Sequence, residues 1–262
     1  MRNLTPLEKV IWNQGERLIP GVTHDLAEVI RHRSSYFFFR KVIENDPALI
    51  GGEAIPVRIV DLGCGIGYGC RILSEVPNSQ ILGVERSREC LEHARVYYGG
   101  ENIDYRAENL LEYIPRMSEY DYVVSRGVFE HVADGLQLAL STKWRHRLIF
   151  DVPYNEPRGK NPHHVKFEIR EETFSEYPEI EFFFQDMDGI IHDSEHRPVN
   201  SNMMICVWTS AELPKVSECQ MTFPFPAWQP GTISRLSRLR WSKMTQKLKK
   251  GLQKYREPRI RK

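Results

Sequence analysis

The chain has 262 residues, which is enough for one sizeable domain with additions. Its composition is that of an ordinary globular protein, and no apolar run is long enough to span a membrane. The N-terminus has no apolar stretch of signal-peptide length, and no two of the five cysteines have C-x-x-C spacing. The sequence therefore suggests neither a zinc site nor a disulfide framework, and we expect a cytoplasmic protein with reduced thiols.

The net charge of +1 hides an uneven distribution of charge. Residues 232–262 contain twelve lysines or arginines and a single acid, whereas the rest of the chain contains 24 basic and 34 acidic residues. Apolar residues recur between these bases mostly at three- or four-residue steps, which predicts a basic amphipathic helix. We expect this tail to attach the protein to an anionic membrane surface, at the inner face of the membrane. Docking on the acidic body is the alternative, and nucleic acid is not favoured because no aromatic residues are interleaved for base stacking.

Composition, together with the positions of glycines and prolines, divides the chain into four parts. We predict an N-terminal helical lid over residues 1–50, an α/β domain over 51–210, a proline-rich linker over 211–231 and the basic tail over 232–262. The lid contains a continuous aromatic run at residues 36–39, which indicates that one of its helices is buried against the α/β domain. The sequence leaves the oligomeric state open.

The most informative stretch has a strand, a glycine-rich turn and a helix in succession. The apolar run Val57–Val60 predicts a buried parallel strand, Asp61 follows at its carboxyl end, and the turn reads Gly63-Cys64-Gly65-Ile66-Gly67. Glycine is needed in such a turn because the backbone must bend sharply and let a ligand approach closely. The spacing does not fit the dinucleotide pattern G-x-G-x-x-G, but it fits D-x-G-x-G-x-G.

The next predicted strand supports a nucleoside ligand. It covers Ile81–Val84 and ends in Glu85, about 20 residues past the glycines, where an acid can accept hydrogen bonds from ribose hydroxyls. Enzymes that bind NAD share such an acid, so Glu85 indicates a nucleoside without choosing the cofactor. Further strands are predicted at Asn102–Tyr105, Tyr120–Ser125 and Arg147–Val152, and at Ile180–Gln185 and Asn202–Trp208.

These motifs resemble those of the class I S-adenosylmethionine (SAM)-dependent methyltransferases over roughly residues 30–210. The glycine motif matches their first motif, and Ser125 followed by Glu130-His131 is similar to a pattern after their fourth strand. The resemblance implies an α/β fold with a doubly wound, seven-stranded, mostly parallel sheet. It implies strand order 3-2-1-4-5-7-6 with strand 7 antiparallel, and SAM as the cofactor.

The resemblance also implies the residues that bind the cofactor. They are Tyr36, Asp61, Gly63, Cys64, Gly65, Gly67, Glu85, Arg86, Glu108, Asn109 and Ser125. Glu85 would hold the ribose, Glu108 beside Asn109 would hold the adenine amino group, and Tyr36 or Arg33 would reach the methionine carboxylate. We expect no metal ligands, because the acids at 186 and 188 fit no calcium loop.

Two histidines are candidates for a general base on a hydroxyl acceptor, His131 first and His164 second. The segment Asn161-Pro162-His163-His164-Val165-Lys166 is similar to one found in bacterial methyltransferases of cell-surface glycan and lipopolysaccharide pathways. We therefore expect methyl transfer to a hydroxyl of a sugar, or of another small or lipid-linked acceptor, in cell-surface glycan synthesis.

Two other functions are left open by the sequence. The fold could be a non-catalytic module that docks on a membrane or on RNA through its tail. An RNA methyltransferase is the weaker option, because the stretch after strand four reads Ser125-Arg126-Gly127-Val128 where base N-methylation usually draws on an Asn/Asp-Pro-Pro-Tyr/Phe motif.

Overall fold

The structure is a computed structural model that describes residues 3–15, 17–20, 26–50 and 55–229. The chain divides into two compact units, Met1–Ala227 and Trp228–Lys262, and the description below concerns the first. The predicted basic helix and its membrane attachment, at residues 232–262, lie outside the described residues. No helix within the described ranges is long and apolar enough to cross a membrane.

Strands and helices alternate over most of the first unit. The strands are β1 (Val57–Leu62), β2 (Ser79–Glu85), β3 (Ile103–Ala107), β4 (Tyr122–Arg126), β5 (Arg147–Pro153), β6 (Ile180–Gln185), β7 (Ile191–His192) and β8 (Met203–Thr209). The α-helices are α1 (Pro6–Asn13), α2 (Leu26–Glu44), α3 (Pro47–Ile50), α4 (Tyr68–Leu73), α5 (Arg88–Tyr98), α6 (Leu110–Tyr113) and α7 (Gly135–Ser141). Short 3-10 turns lie at Ile114–Glu119, Phe129–His131, Glu171–Phe174 and Val216–Glu218.

All the described strands belong to one sheet with the order β3-β2-β1-β4-β5-β8-β6-β7. The first five strands pair in parallel, and β8 runs antiparallel to both β5 and β6. The predicted α/β fold and the antiparallel strand beside β5 are confirmed. The predicted seven strands become eight in the described part of the chain, because a two-residue strand is added at the edge beyond β6.

The additional strand arises from the turn that contains the acids at 186 and 188. The Asp186 carboxylate accepts hydrogen bonds from the backbone N–H groups of Asp188 and Ile190, both at 2.9 Å, and closes a hairpin between β6 and β7. Further along β6, a side chain of the strand binds the 3-10 turn at Val216–Glu218. There the Glu181 carboxylate accepts from the N–H of Val216 at 2.6 Å and of Ser217 at 2.9 Å.

The central strands are apolar on both sides because helices cover both faces of the sheet. In β4, Tyr122 and Val124 join one buried cluster, which includes the aromatic side chains of α2. Val123, between them, joins the other cluster with residues of α6 and α7. Successive side chains of a strand point to opposite faces, so a continuous apolar run fills two cores.

A fully buried ion pair fixes the end of the N-terminal helices to the sheet. Arg147, the first residue of β5, donates from Nε to the Asp46 carboxylate at 2.9 Å, and both side chains are inaccessible to solvent. Its guanidinium also donates to the hydroxyl of Thr209 and to the carbonyl oxygen of Pro214. The cation is therefore tied to three segments of the chain at once.

Replacing Asp46 by alanine should destabilise the fold strongly, because Arg147 would lose its counter-ion in a buried place. We expect Asp46→Ala to lower the free energy of unfolding in urea by about 3–5 kcal/mol. Arg145→Ala is the matched control, since its ion pair with Asp121 at 3.4 Å leaves the arginine 55% exposed. That control should change stability by less than about 1 kcal/mol. Equal effects of the two substitutions would contradict the structural role of the buried pair.

A second buried group lies beneath the glycine turn and joins α2, β1 and α4. The Asp61 carboxylate accepts from the Tyr36 hydroxyl at 3.2 Å and from the Cys70 thiol at 3.3 Å. Burial raises the pKa of Asp61 to about 7, although these two hydrogen bonds act in the opposite direction. The folded protein thus holds a proton on Asp61 at pH values where the unfolded chain has released it.

This shift makes stability fall as the pH rises. The contribution of Asp61 is complete below its unfolded pKa and is lost by about pH 7, an order-of-magnitude change of about 4 kcal/mol. We expect Asp61→Asn to flatten the pH dependence of urea unfolding between about pH 4 and about pH 7. The exposed Asp104→Asn should keep the wild-type slope. If the stability of Asp61→Asn depends on pH as strongly as that of the wild type, another group is responsible for the pH dependence.

Candidate active site

A cavity of about 950 Å³ opens at the carboxyl ends of the parallel strands. Among the described residues, its walls include the ends of β2, β4 and β5, the turns after β1, β2, β4 and β5, the segment after β3, and α2. Ligands of α/β sheets bind in this crevice, because the loops that follow parallel strands converge there. The volume suits a small-molecule ligand of cofactor size.

The glycine turn after β1 forms one wall of the cavity. Gly67 is the N-cap of α4 with φ +86°, and a Cβ there would lie 2.6 Å from the Tyr105 hydroxyl. Gly65 has φ +53° and lines the cavity, and a Cβ there would meet nothing within 4 Å. The turn therefore needs glycine for its packing at one position and presents bare backbone at the other.

Glu85 stands at the end of β2, in the cavity wall, as the sequence spacing predicted. Its side chain is 7% exposed, and Oε1 accepts from the Ser87 N–H at 3.0 Å. The Arg17 guanidinium lies 3.6 Å from the same oxygen. Arg86 also lines the cavity and is exposed. A buried carboxylate held in place by a backbone amide is suited to accept hydrogen bonds from a sugar diol.

Glu108 and Asn109 lie in the cavity wall after β3, and both also have structural partners. The Glu108 carboxylate is 3.7 Å from Arg106 and 3.9 Å from Arg116, and is about one third exposed. The Asn109 side chain caps α6 by accepting from the Leu111 N–H at 2.9 Å. Either group can offer an acceptor to an adenine amine, since each side-chain oxygen has more than one lone pair.

Several residues assigned to the cofactor lie behind the cavity wall instead of in it. Gly63 and Cys64 line the cavity, whereas Asp61, Gly67 and Ser125 do not. Asp61 and Ser125 are fully buried, and Ser125 donates to the Leu62 carbonyl oxygen at 3.0 Å. These residues support the wall from below.

The N-terminal helix α2 reaches the cavity, but not with every side chain that the sequence analysis named. Tyr36 lines the wall, yet its hydroxyl donates inward to Asp61. Arg33 is not among the lining residues, whereas Arg31 and His32 are. Arg31, in the same helix, is therefore better placed than Arg33 to bind a carboxylate in the cavity.

The two candidate histidines come together at the other end of the cavity. Their ring centroids are 4.6 Å apart, with the rings nearly perpendicular. His131 ends the 3-10 turn after β4, and His164 lies in the β5 loop, residues 154–169. The carbonyl oxygen of Glu130 accepts from the N–H groups of Val165 at 2.8 Å and Lys166 at 3.1 Å, which ties this loop to the turn.

Hydrogen bonds to acceptors fix the tautomer of both rings. His131 Nδ1 lies 3.0 Å from the carbonyl oxygen of His163, so Nδ1 carries the proton and Nε2 the lone pair. His164 Nδ1 donates to the Glu156 carboxylate, which assigns the lone pair of this ring to Nε2 as well. That Nε2 lies 3.1 Å from the side-chain nitrogen of Asn161.

The structure adds residues that the sequence analysis did not assign. Arg126 lines the cavity and lies 3.7 Å from the buried Asp151 carboxylate, while its Nη1 donates to His32 Nε2 at 3.1 Å. His32 in turn donates from Nδ1 to the Tyr68 hydroxyl at 2.9 Å. Asp151 could have been predicted from the sequence as a residue of the site, because acids at the carboxyl end of a parallel strand face the ligand crevice. Glu156 had no comparable signal.

Comparison with known proteins agrees with this geometry over part of the chain. Residues 59–148 match the family described as "Methyltransferase domain". A ubiquinone biosynthesis O-methyltransferase from Chelativorans sp. (strain BNC1) is 34% identical over 80 residues, 30% of this chain and 31% of that protein. A trans-aconitate 2-methyltransferase from Streptomyces avermitilis is 35% identical over 82 residues, 29% of this chain and 30% of that protein. The matched region thus spans about a third of the length of these curated relatives.

Solved structures extend the likeness to most of the first unit. The N-terminal domain of EvdMO1, solved in the presence of SAH and D-fucose, matches 77% of this chain and 93% of its own, with TM-score 0.50 and 16% identity. At that identity the likeness establishes the fold. The bare backbone at Gly65 and the oriented carboxylate of Glu85 suit an adenosyl group. The chain has the α/β fold of the class I SAM-dependent methyltransferases, its residues 59–148 match the methyltransferase-domain family, and SAM is the cofactor of that fold.

Proposed function

We propose that this protein transfers a methyl group from SAM to a hydroxyl of a sugar, or of another polar small or lipid-linked acceptor. The observation that carries the proposal is a single cavity lined by Gly65 and Glu85 as well as by His131 and His164. A nucleoside-binding wall and a pair of imidazoles therefore face the same space. Cofactor and acceptor can meet there without a large rearrangement, which is the main requirement for a transfer between two bound molecules.

The cofactor half of the cavity would hold and orient the adenosyl group. Glu85 would accept hydrogen bonds from the ribose hydroxyls, and Glu108 and Asn109 offer acceptors for the adenine amine. Arg126, held by Asp151, is placed to donate to a carboxylate in the cavity. When bound, SAM supplies an electrophilic methyl group on a positively charged sulfur, which leaves with the carbon–sulfur electron pair.

The other half would bind the acceptor and take up its hydroxyl proton. His131 Nε2 carries a lone pair in the assigned tautomer, so it can receive that proton while Nδ1 remains bonded to the carbonyl oxygen of His163. The Glu156 carboxylate fixes the orientation of His164 through Nδ1. Each imidazole is thus held by a partner on the side away from its lone pair.

The polar character of the acceptor half supports a substrate rich in hydroxyl groups. Its wall includes the side chains of Asn155, Lys160, Asn161, Asn200 and Asn202, which offer donors and acceptors in several directions. O-methyl transfer also agrees with the names of similar proteins, among them a malonyl-[acyl-carrier protein] O-methyltransferase from Bacillus cereus. Cell-surface glycan synthesis rests on the shorter Asn161–Lys166 motif, whose Asn161 and His164 both lie in the wall.

Removing the Glu85 carboxylate should weaken cofactor binding. We expect Glu85→Ala to raise the dissociation constant for SAM on the order of 10- to 100-fold in calorimetry, because charge-assisted hydrogen bonds to the ribose are lost. Glu92→Ala is the matched control, an exposed acid on α5 outside the cavity wall, and should bind SAM as the wild type does. Unchanged affinity in Glu85→Ala would refute the ribose assignment. Absence of SAM binding to the wild type at millimolar cofactor would refute the function itself.

Removing the imidazole of His131 should separate binding from turnover. We expect His131→Ala to keep its SAM affinity within a few fold and to lower turnover by ~10²–10⁴. Turnover is measured as S-adenosylhomocysteine release with a panel of methyl hexosides and methyl deoxyhexosides as acceptors. His196→Ala is the control, because His196 is 71% exposed and pairs with Asp193 outside the cavity. Full turnover in His131→Ala would remove His131 from any role in the reaction.

A further inference from the structure

Three side chains at the acceptor end of the cavity have the donor atoms of a metal site. One ligand atom from each of Glu130, His131 and His164 lies within 4.8 Å of the other two. Within the described part of the chain, this is the group of histidine and acidic residues close enough to share an ion. Glu130 is 2% exposed and His164 6% exposed, so these two donors are held in place by the surrounding structure.

The contacts behind the two imidazoles are those that metal-binding histidines make. A ligating histidine usually donates its other ring N–H to a carboxylate or a backbone carbonyl group, which fixes the tautomer and strengthens the ligand. His164 donates from Nδ1 to the Glu156 carboxylate, and His131 donates from Nδ1 to the carbonyl oxygen of His163. Both rings therefore carry the lone pair on Nε2, the atom that would bind the ion.

We propose that Glu130, His131 and His164 form a binding site for a divalent first-row transition-metal cation such as Zn²⁺ or Mn²⁺. Two imidazoles and one carboxylate are a donor set that such cations accept, whereas Mg²⁺ and Ca²⁺ prefer oxygen ligands alone. The carboxylate of Glu130 offsets part of the charge of the ion in a place with little access to solvent. Three ligands from the protein leave at least one coordination position for another molecule in the cavity.

Binding of the ion requires a small local adjustment. Ligands around a tetrahedral zinc ion stand roughly 3.3 Å apart, which is closer than the present spread of up to 4.8 Å. The Asn161 side chain now lies 3.1 Å from His164 Nε2 and would have to turn aside, since both partners use the same lone pair. These changes involve side-chain rotations within the acceptor half and leave the glycine turn as it is.

The ion would change how the acceptor is handled, and this part rests on the proposed function. An ion held by Glu130, His131 and His164 would supply a positive charge that makes a neighbouring acceptor hydroxyl more acidic. His131 and His164 would then act as neutral ligands, and His131 would not be the proton acceptor itself. Cofactor binding at Gly65 and Glu85 would not depend on the ion.

The site can be tested by calorimetry on the full-length protein after removal of metals with a chelator. We expect one equivalent of Zn²⁺ or Mn²⁺ to bind at micromolar or lower concentration, and Mg²⁺ to bind on the order of 100-fold more weakly. His164→Ala and Glu130→Gln should each weaken Zn²⁺ binding on the order of 100-fold. Glu156→Gln should weaken it 10- to 100-fold through the orientation of His164. His196→Ala, outside the cavity, should bind the ion as the wild type does.

A measurement on the unmodified protein avoids variants that fail to fold. With Mn²⁺ bound, pulsed electron paramagnetic resonance should detect nitrogen couplings from imidazole ligands. Absence of stoichiometric binding, absence of nitrogen couplings, or unchanged Zn²⁺ affinity in a folded His164→Ala would each overturn the metal site. Titration of the metal-free protein with SAM keeps the two proposals apart. SAM binding without metal binding refutes the ion alone, whereas metal binding without SAM binding refutes the methyltransferase function alone.

Discussion

The acceptor end of the cavity depends on one backbone oxygen. The Glu130 carbonyl group, in the 3-10 turn after β4, accepts two N–H donors from the β5 loop, at 2.8 and 3.1 Å. Backbone hydrogen bonds closer to β5 also close the base of this loop, from Asn155 to Ile169 and from Glu168 to Glu156. His164 is carried on a segment that is anchored at both ends, which explains how two residues 33 positions apart in the chain hold their rings 4.6 Å apart.

The cofactor end has a different foundation, a carboxyl group buried below the glycine turn. Tyr36 contributes its ring to the cavity wall and its hydroxyl to Asp61, so α2 and the glycine turn are positioned by the same contact. A raised pKa is the cost of placing an acid where water does not reach. The two halves of the site are therefore built independently, one on a buried acid and the other on a loop tied to a carbonyl oxygen.

Much of this arrangement could be predicted from local sequence signals. The glycine spacing and the acid at the end of β2 were sufficient to predict the turn and the carboxylate that line the cavity, because both features lie within one strand–turn–helix–strand unit. The order of the main strands followed from the resemblance. The roles of Asp61 and Ser125 could not be separated from those of Gly63 and Gly65 by sequence, because tertiary packing decides which residues near a strand end line the cavity and which lie behind its wall.

The remaining features depend on tertiary contacts that no local sequence pattern predicts. The edge strand β7 exists because Asp186 closes a turn with its own side chain, and two residues are too short for a recognisable strand pattern. The proposed metal ligands are Glu130 and His131, which are adjacent in the chain, and the distant His164. The contact of Glu156 with His164 likewise forms only when the β5 loop folds back. The two histidines could be predicted from the sequence as alternative bases but not as neighbours, because their proximity is a property of the tertiary structure.

The covering of β6 has a consequence for the behaviour of the protein in solution. Sheet edges with unpaired amide and carbonyl groups can bind strands from other molecules. Natural proteins block such edges with short edge strands and inward-pointing charged residues. Here β7 pairs with Phe184 and Gln185, and the hydroxyl of Ser194 donates to the Phe182 carbonyl oxygen at 2.8 Å. The Glu181 carboxylate meanwhile binds the passing chain at Val216 and Ser217. The pairing with β7 and the Ser194 hydroxyl thus occupy backbone groups of β6 to which a strand from another molecule would otherwise bond.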